Sequence, residues 1–281
     1  MPELPEVETT LRGIQPYVDG ASLVQFDVRN ESLRWPVPVS ELKKLHGLKI
    51  NSAKRRAKYI LLDTDQGAIM IHLGMSGSVR MVPVDECEPP GKHDHVDIHF
   101  SLPKANDNQT EWVLRYHDPR KFGSILLVDT KDRSHPLLDS LGPEPLSDAF
   151  NADLLFKLSR KRSVAVKNFI MNGHVVVGVG NIYASESLFL AKVQPMRPAG
   201  KVTKAEYVEI ADAIKHVLSN AIRVGGTTLR DFTGSDGKAG YFQQKLNVYD
   251  REGESCNSCS FEINRIIIGQ RSSFYCSSCQ K

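Results

Sequence analysis

The spacing of apolar positions changes character along the chain. After Pro5, residues Val7, Leu11 and Ile14 fall at i, i+4 and i+7, one stripe of a helix covering the first ~17 residues. From there to position 128 the apolar runs are short and often alternate with polar residues, the period of a pleated strand. They lie at 23–28, 59–62, 68–72, 79–82, 96–100, 112–116 and 124–128. Gly, Pro, Asp or Asn separates them and no helical pattern intervenes. An antiparallel sandwich or barrel is therefore predicted, not a parallel sheet.

The segment Gly142-Pro143-Glu144-Pro145-Leu146-Ser147 breaks regular structure through its prolines. Beyond it the period becomes helical. In 203–224, Tyr207, Ile210, Ala211, Ile214, Val217, Leu218 and Ala221 mark one face, Thr203 and Glu206 form a capping box, and Gly225-Gly226 end the run. Further helices are predicted near 152–158, 164–171 and 182–192.

Composition narrows the class. A chain of 281 residues with 41% hydrophobic positions can build about two cored domains, which excludes wholesale disorder. The net charge of +3 is uninformative, but its distribution is not. Residues 1–150 carry 18 Lys and Arg against 22 Asp and Glu; residues 151–281 carry 18 against 11. A basic second half suits either an anionic partner, of which nucleic acid is the commonest, or a merely basic soluble domain. The acidic start has no apolar core of a signal peptide, and the long uncharged stretch 168–185 is interrupted by Asn, Gly and His. A soluble intracellular protein without membrane attachment is expected.

Cys256-x2-Cys259-x16-Cys276-x2-Cys279 carries the sharpest chemical signal. Two C-x-x-C knuckles complete a tetrahedron of thiolates, and four protein ligands leave a metal no open position, so one structural zinc ion is expected. A redox or disulfide cluster is the alternative. Between the knuckles, 261–274 reads as two strands around Gly269-Gln270-Arg271, a hairpin with arginine near its tip. The run Val177-Gly178-Val179-Gly180 before a helix imitates a dinucleotide fingerprint, but Tyr183 stands where the third glycine belongs and no βαβ pattern surrounds it. It is either a tight turn or a close approach to an anion, with Asn181 placed to cap the next helix.

Three basic segments could meet phosphate: Lys54-Arg55-Arg56-Ala57-Lys58, Arg120-Lys121 and Arg160-Lys161-Arg162. Each could equally be a solvated face. Met75 in Gly74-Met75-Ser76-Gly77 and Phe122 after Asp118-Pro119-Arg120-Lys121 are either core or wedges of the kind that enter a base stack. At the N-terminus, loss of Met1 would expose Pro2 as a secondary amine with a pKa near the ~7.7–8.0 of α-amino groups, a nucleophile for a sugar C1′. Glu3 and Glu6 beside it are candidate acid and base.

Taken together, these segments resemble one family, the bacterial formamidopyrimidine-DNA glycosylases, which excise oxidised purines such as 8-oxoguanine. The resemblance rests on Pro2-Glu3-Leu4-Pro5-Glu6-Val7-Glu8-Thr9, Arg55-Arg56-Ala57-Lys58-Tyr59, His72-Leu73-Gly74-Met75-Ser76-Gly77, Lys92-His93-Asp94-His95, Asp118-Pro119-Arg120-Lys121-Phe122-Gly123, Gly178-Val179-Gly180-Asn181-Ile182-Tyr183 and the cysteine motif, in order over nearly the whole chain. It implies an α+β protein. A helix and antiparallel β-sandwich span 1–141, a linker 142–147, a helix–two-turns–helix domain 148–246 and a four-cysteine zinc-finger hairpin 247–281.

By the same resemblance, Pro2 is the nucleophile, Glu3 the acid that protonates the opening sugar ring, Lys58 a residue of β-elimination, and Arg271 the finger arginine that grips phosphate and assists δ-elimination. Met75, Arg120 and Phe122 fill the gap left by a flipped base. Glu6, His72, His93, Lys167 and Asn181 stand at substrate- or DNA-contacting positions. At Lys167 the preceding Ser163-Val164-Ala165-Val166 departs from the family's polar, lysine-rich run. The implied partner is damaged double-stranded DNA, bound by a cytoplasmic monomer.

Two rivals remain. Endonuclease VIII-like enzymes share the fold and nucleophile but act on oxidised pyrimidines; they usually begin Pro-Glu-Gly-Pro-Glu, where this chain has Pro2-Glu3-Leu4-Pro5-Glu6. The segment 233–242 also resembles the loop that closes over 8-oxoguanine in the purine-specific enzymes. A non-catalytic DNA-binding protein with a zinc ribbon would explain the basic half but neither Pro2-Glu3 nor Lys58.

Overall fold

The first element is set by its own N-terminus. In a computed structural model of the chain, helix α1 (Leu4–Val18) begins at Glu3, whose backbone N–H donates to the Glu6 carboxylate at 2.8 Å. Pro5 sits in the first turn, where a missing N–H costs nothing. The buried stripe is Leu4, Val7, Leu11, Ile14 and Val18, the predicted face extended by a turn at each end. The structure describes residues 2–103, 109–129, 134–225 and 246–281. Met1 and the loop 233–242 lie outside them.

The described residues form two compact units that divide between Asp139 and Ser140. In the first, two four-stranded antiparallel sheets face each other. One has the order β1 (Ser22–Val28), β6 (Asp94–Pro103), β7 (Gln109–His117), β5 (Ser78–Pro83); the other has β2 (Ser52–Arg56), β3 (Tyr59–Thr64), β4 (Gly67–His72), β8 (Ser124–Val128). Leu23, Ile98 and Leu114 from one sheet, Ile60, Ile69 and Ile125 from the other, and Val7 and Ile14 from α1 share a single core. This is the predicted sandwich. Short helix α2 (Val39–Lys43) adds Leu42 to that core, and α3 (Pro136–Asp139) lays Leu137 and Leu138 on the outer face of the second sheet against Met70.

One strand escaped the pattern. β2 reads as a basic run because Lys54 and Arg55 are held by carboxylates: Lys54 Nζ lies 3.0 Å from Asp63 Oδ2, and Arg55 Nε lies 2.8 Å from Glu8 Oε2. Its other side pairs with β3 from Ser52 opposite Asp63 to Arg56 opposite Tyr59, leaving Ala57-Lys58 as a two-residue turn.

The second unit is helical: α4 (Ala152–Ser159), α5 (Val166–Ile170), α6 (Asn181–Leu190) and α7 (Lys204–Arg223), then the hairpin β9 (Ile263–Ile268) and β10 (Arg271–Cys276). The capping box at Thr203 and Glu206 is present. The predicted linker is not a free tether, since Gly142 N–H donates to Gly173 O and Val177 N–H to Pro143 O. No helix among the described residues is long and apolar enough to cross a membrane.

Candidate DNA-repair site

The loops after β4 and β7 are built as a pair. Leu73 O accepts from Gly77 N–H and closes the first loop. The second carries Pro119 to Phe122. At Gly74 a Cβ would fall 2.4 Å from Gly123 N, and at Gly123 one would fall 2.4 Å from His72 O, so the two backbones touch only because both positions lack side chains. The loop tips then stand out: Met75 is 38% and Phe122 42% exposed, and the Arg120 guanidinium lies 4.8 Å over the Phe122 ring. Met75 and Phe122, together with Arg34, His72, Gly74 and Lys121, line a pocket of ≈ 480 Å³. Met75 and Phe122 are thus exposed loop tips, not core residues.

His72 is tuned by that pocket. Burial, then the charges of Lys58 and Arg34, pull its pKa from 6.5 down to about 4, against a smaller opposing pull from Asp118. Its Nδ1 accepts the Gly74 N–H at 3.2 Å, and its ring packs on Tyr59 at 4.9 Å between centroids. The side chain is thus a neutral imidazole within reach of two cations, Lys58 at the β2–β3 turn and Arg34. Arg34 carries no recognisable motif in the sequence. It comes from an irregular segment with no periodic signal, pinned by its own N–H to Gly123 O.

Under both loops sits Asp118, fully buried. It accepts from Ser76 Oγ at 2.9 Å, Gly123 N–H at 2.8 Å and Arg120 N–H at 3.3 Å, while Tyr116 Oη, 3.4 Å away, shares its one proton with His72 O at 3.2 Å. Burial, then the Asp118 charge, raise the Tyr116 phenol well above its usual range, so it remains a donor. The backbone of Asp118 reaches His93, a predicted site residue, and its neighbour His95: its N–H donates to His93 O, and its O lies 2.8 Å from His95 Nε2.

At the N-terminus, Pro2 is buried and Glu3 is 3% exposed at the start of α1. Glu6 is fully buried and spends one carboxylate oxygen on the Glu3 N–H. That bond fixes the helix start. Glu6 thereby helps to shape the N-terminus beside Pro2 and Glu3.

In the second unit the structure revises two expectations. Asn181 does not cap α6; Gly180 is the cap residue, and Asn181 is the first helical residue. Its side chain turns to the hairpin instead: Nδ2 donates to Ser272 O at 3.0 Å, and Oδ1 accepts from Lys167 Nζ at 2.6 Å. Lys167 is fully buried and also donates to Ser273 Oγ at 2.6 Å and Ser272 O at 3.1 Å. Its ammonium is spent inside the fold, tying α5 and α6 to β10 directly after Arg271.

Arg271 itself is exposed as the first residue of β10. The turn before it is Gly269-Gln270, with φ of 54° and 63°, the two positive values of a tight hairpin. The fingerprint-like glycines lie in the turn between α5 and α6, where Val175, Val176, Val177 and Val179 are buried.

The four cysteines converge. Their Sγ atoms lie within 4.8 Å of one another, with Cys259 and Cys276 at 3.4 Å and Cys256 and Cys279 at 4.0 Å. Ligands about 2.3 Å from a tetrahedral zinc stand ~3.8 Å apart, so this donor set fits the ion by size and by chemistry. None of the four is in a disulfide. Phe189, Val248, Ile263 and Phe274 pack around them as a small core.

A two-sheet sandwich headed by a capped helix, with paired apolar loop tips, and a helical unit ending in a four-cysteine hairpin define the class of protein. The family models agree segment by segment: the formamidopyrimidine-DNA glycosylase N-terminal domain matches residues 1–125, and the formamidopyrimidine-DNA glycosylase H2TH domain matches residues 141–233. The chain belongs to the formamidopyrimidine-DNA glycosylase family. It is 53% identical to the formamidopyrimidine-DNA glycosylase of Hydrogenovibrio crunogenus, over 100% of this chain and 97% of that one. Among solved structures, Lactococcus lactis Fpg bound to DNA containing an abasic site superposes with a TM-score of 0.85 at 32% identity, covering 100% of both chains. A MutM protein in complex with DNA containing carbocyclic 8-oxo-G does so with the same TM-score, identity and coverage.

Proposed function

We propose that this chain is a base-excision-repair DNA glycosylase and abasic-site lyase that removes oxidised purines from duplex DNA. The paired wedge loops carry the reading. Met75 and Phe122 stand exposed on one pocket, in a chain that carries Pro2-Glu3 directly after Met1 and whose solved relatives hold abasic and 8-oxo-G DNA. A base stacked in a duplex is out of reach of any nucleophile, and extruding it costs a few kcal/mol of stacking and pairing. Met75 and Phe122 offset that loss by filling the vacated space, while Arg120, stacked on Phe122, bonds the orphaned partner base.

The chemistry then belongs to the N-terminus. The secondary amine of Pro2, freed of Met1, attacks C1′ as the bond to the base breaks; the base leaves with a proton. Glu3, buried at the start of α1, gives a proton to O4′ as the ring opens to an iminium. The iminium acidifies C2′–H, so loss of that proton expels the 3′ phosphate; a second elimination expels the 5′ phosphate. Lys58 assists the first elimination and Arg271 the second. His72, Arg34 and Lys58 supply a phosphate-facing group, neutral at His72 and cationic at the other two.

Cys256, Cys259, Cys276 and Cys279 would hold one zinc ion, which supplies folding energy to the finger that carries Arg271. Damaged double-stranded DNA is the partner, met by a cytoplasmic monomer. Borohydride trapping tests the reading: a covalent adduct with DNA containing 8-oxoguanine, lost when Met1 is retained, is expected. Robust trapping by a chain that keeps Met1 would refute Pro2 as nucleophile. Preference for oxidised pyrimidines would move the chain to the endonuclease VIII-like group.

A further inference from the structure

One buried group connects everything that enters the DNA stack. Asp118 lies between the two wedge loops; two backbone N–H groups and the Ser76 hydroxyl donate to its carboxylate, the Tyr116 hydroxyl shares its one proton between Asp118 and His72 O, and none of these groups is charged. Ser76 Oγ belongs to the residue after Met75; Arg120 N–H and Gly123 N–H lie on either side of Phe122. The same residue's backbone grips His93 O and His95 Nε2. A buried carboxylate is tolerated only when its acceptor sites are filled, so these donors are held in place as firmly as the charge is.

We propose that Asp118 is a positioning residue that locks the Met75 loop to the Arg120–Phe122 loop through Ser76, so that the three side chains enter the helix as one rigid wedge. This rests on the wedge reading above. The physical need is entropic. Two loops joined only by the contact of Gly74 with Gly123 would each lose freedom on insertion, whereas loops already clamped have lost it in the free protein. The clamp therefore lowers the barrier to extrusion of a base but does little for a site that has no base to extrude.

Ser76→Ala removes the link between the loops and leaves Asp118 the Arg120 and Gly123 N–H donors. Asp118→Asn keeps the volume but turns an N–H toward a donor on one side. Both variants are compared with Met75→Ala and Ser76→Thr for melting temperature, excision of 8-oxoguanine from duplex, cleavage of a preformed abasic site, and fluorescence of 2-aminopurine placed opposite the lesion. We expect Ser76→Ala to melt a few degrees below the parent yet stay folded at the assay temperature, to cleave the abasic site within about twofold, and to lose about tenfold in excision, the cost of ordering the freed loop on insertion. The 2-aminopurine signal should fall with excision, and Ser76→Thr should restore both. If excision and abasic cleavage fall together with the folded fraction, Asp118 is structural only and the proposal is overturned. If Met75→Ala weakens excision and the fluorescence signal while Ser76→Ala leaves both intact, the wedge stands and the clamp is refuted. If Met75→Ala changes neither, the wedge reading itself fails and takes the clamp with it.

Discussion

The neutral state of His72 makes a quantitative prediction about acid stability. Its folded pKa is about 4, against 6.5 for the unperturbed group. Protonation would set a new N–H on Nδ1 against the Gly74 N–H that Nδ1 now accepts, and would add a third positive charge beside Lys58 and Arg34. Because the folded value is depressed, the unfolded chain binds the proton more readily. The stability His72 contributes is complete above pH 6.5 and is lost as pH falls through 4. Over that window the shift corresponds to at most ~3.4 kcal/mol, and at pH 4.5 about 2.5 kcal/mol of it is gone. The perturbation is His72→Gln, which keeps an acceptor near Gly74 but cannot titrate in this range. Urea melts of parent and variant at pH 7 and pH 4.5 isolate the term, since every other titrating group is common to both. The parent should lose about 2 kcal/mol more than the variant on acidification. Proton NMR of the ring should place its midpoint near 4. A midpoint at or above 6.5, or equal acid losses in the two proteins, would refute the account of burial and flanking cations.

Other outcomes follow from the same geometry. Met75→Ala should change stability by less than ~0.5 kcal/mol, as exposed positions do, while excision from duplex falls more than abasic-site cleavage; a cost of ~2–5 kcal/mol would mean the side chain is core. Gly123→Ala places a Cβ 2.4 Å from His72 O and closer still to the Tyr116 hydroxyl, so it should cost about 1–3 kcal/mol, read as a fall in melting temperature, and splay the wedge loops. Metal analysis should find about one zinc per chain, and Cys256→Ser should abolish DNA binding while the cooperative melt of the sandwich persists. Lys167→Met should weaken DNA binding by displacing Asn181 and the start of β10, and nuclear magnetic resonance shifts at Ser272 and Ser273 should report it; unchanged shifts would deny the tie.

What the amino-acid pattern revealed depended on which neighbours each residue answers to. Strand β3 alternates half-buried and buried positions because one face meets the sandwich core and Tyr59 and Leu61 pack on the other, so the sequence shows a short apolar run, Tyr59 to Leu62, rather than a period. β2 pairs in the same sheet yet was hidden, since its basic side chains are neutralised by Glu8 and Asp63, partners that no local window contains. Lys167 marks the same boundary more sharply. A lysine after an apolar run reads as a solvated or phosphate-facing cation. It is instead fully buried, because Ser272 and Ser273, more than a hundred positions away, bring it acceptors.

The site residues divide along this line. Met75, Phe122, Arg271 and the four cysteines declare themselves by local chemistry: glycine-flanked loop tips, a two-residue turn, a pair of knuckles. Asp118 did not, because an aspartate before proline is the ordinary signature of a turn. Its role exists only where two loops, brought together by a contact that both Gly74 and Gly123 must permit, send their donors to one carboxylate. The groups proposed to touch DNA can thus be read one at a time from the chain. The group that holds them at a common height is a property of the fold, and the contrast between Ser76→Ala and Met75→Ala measures the two separately.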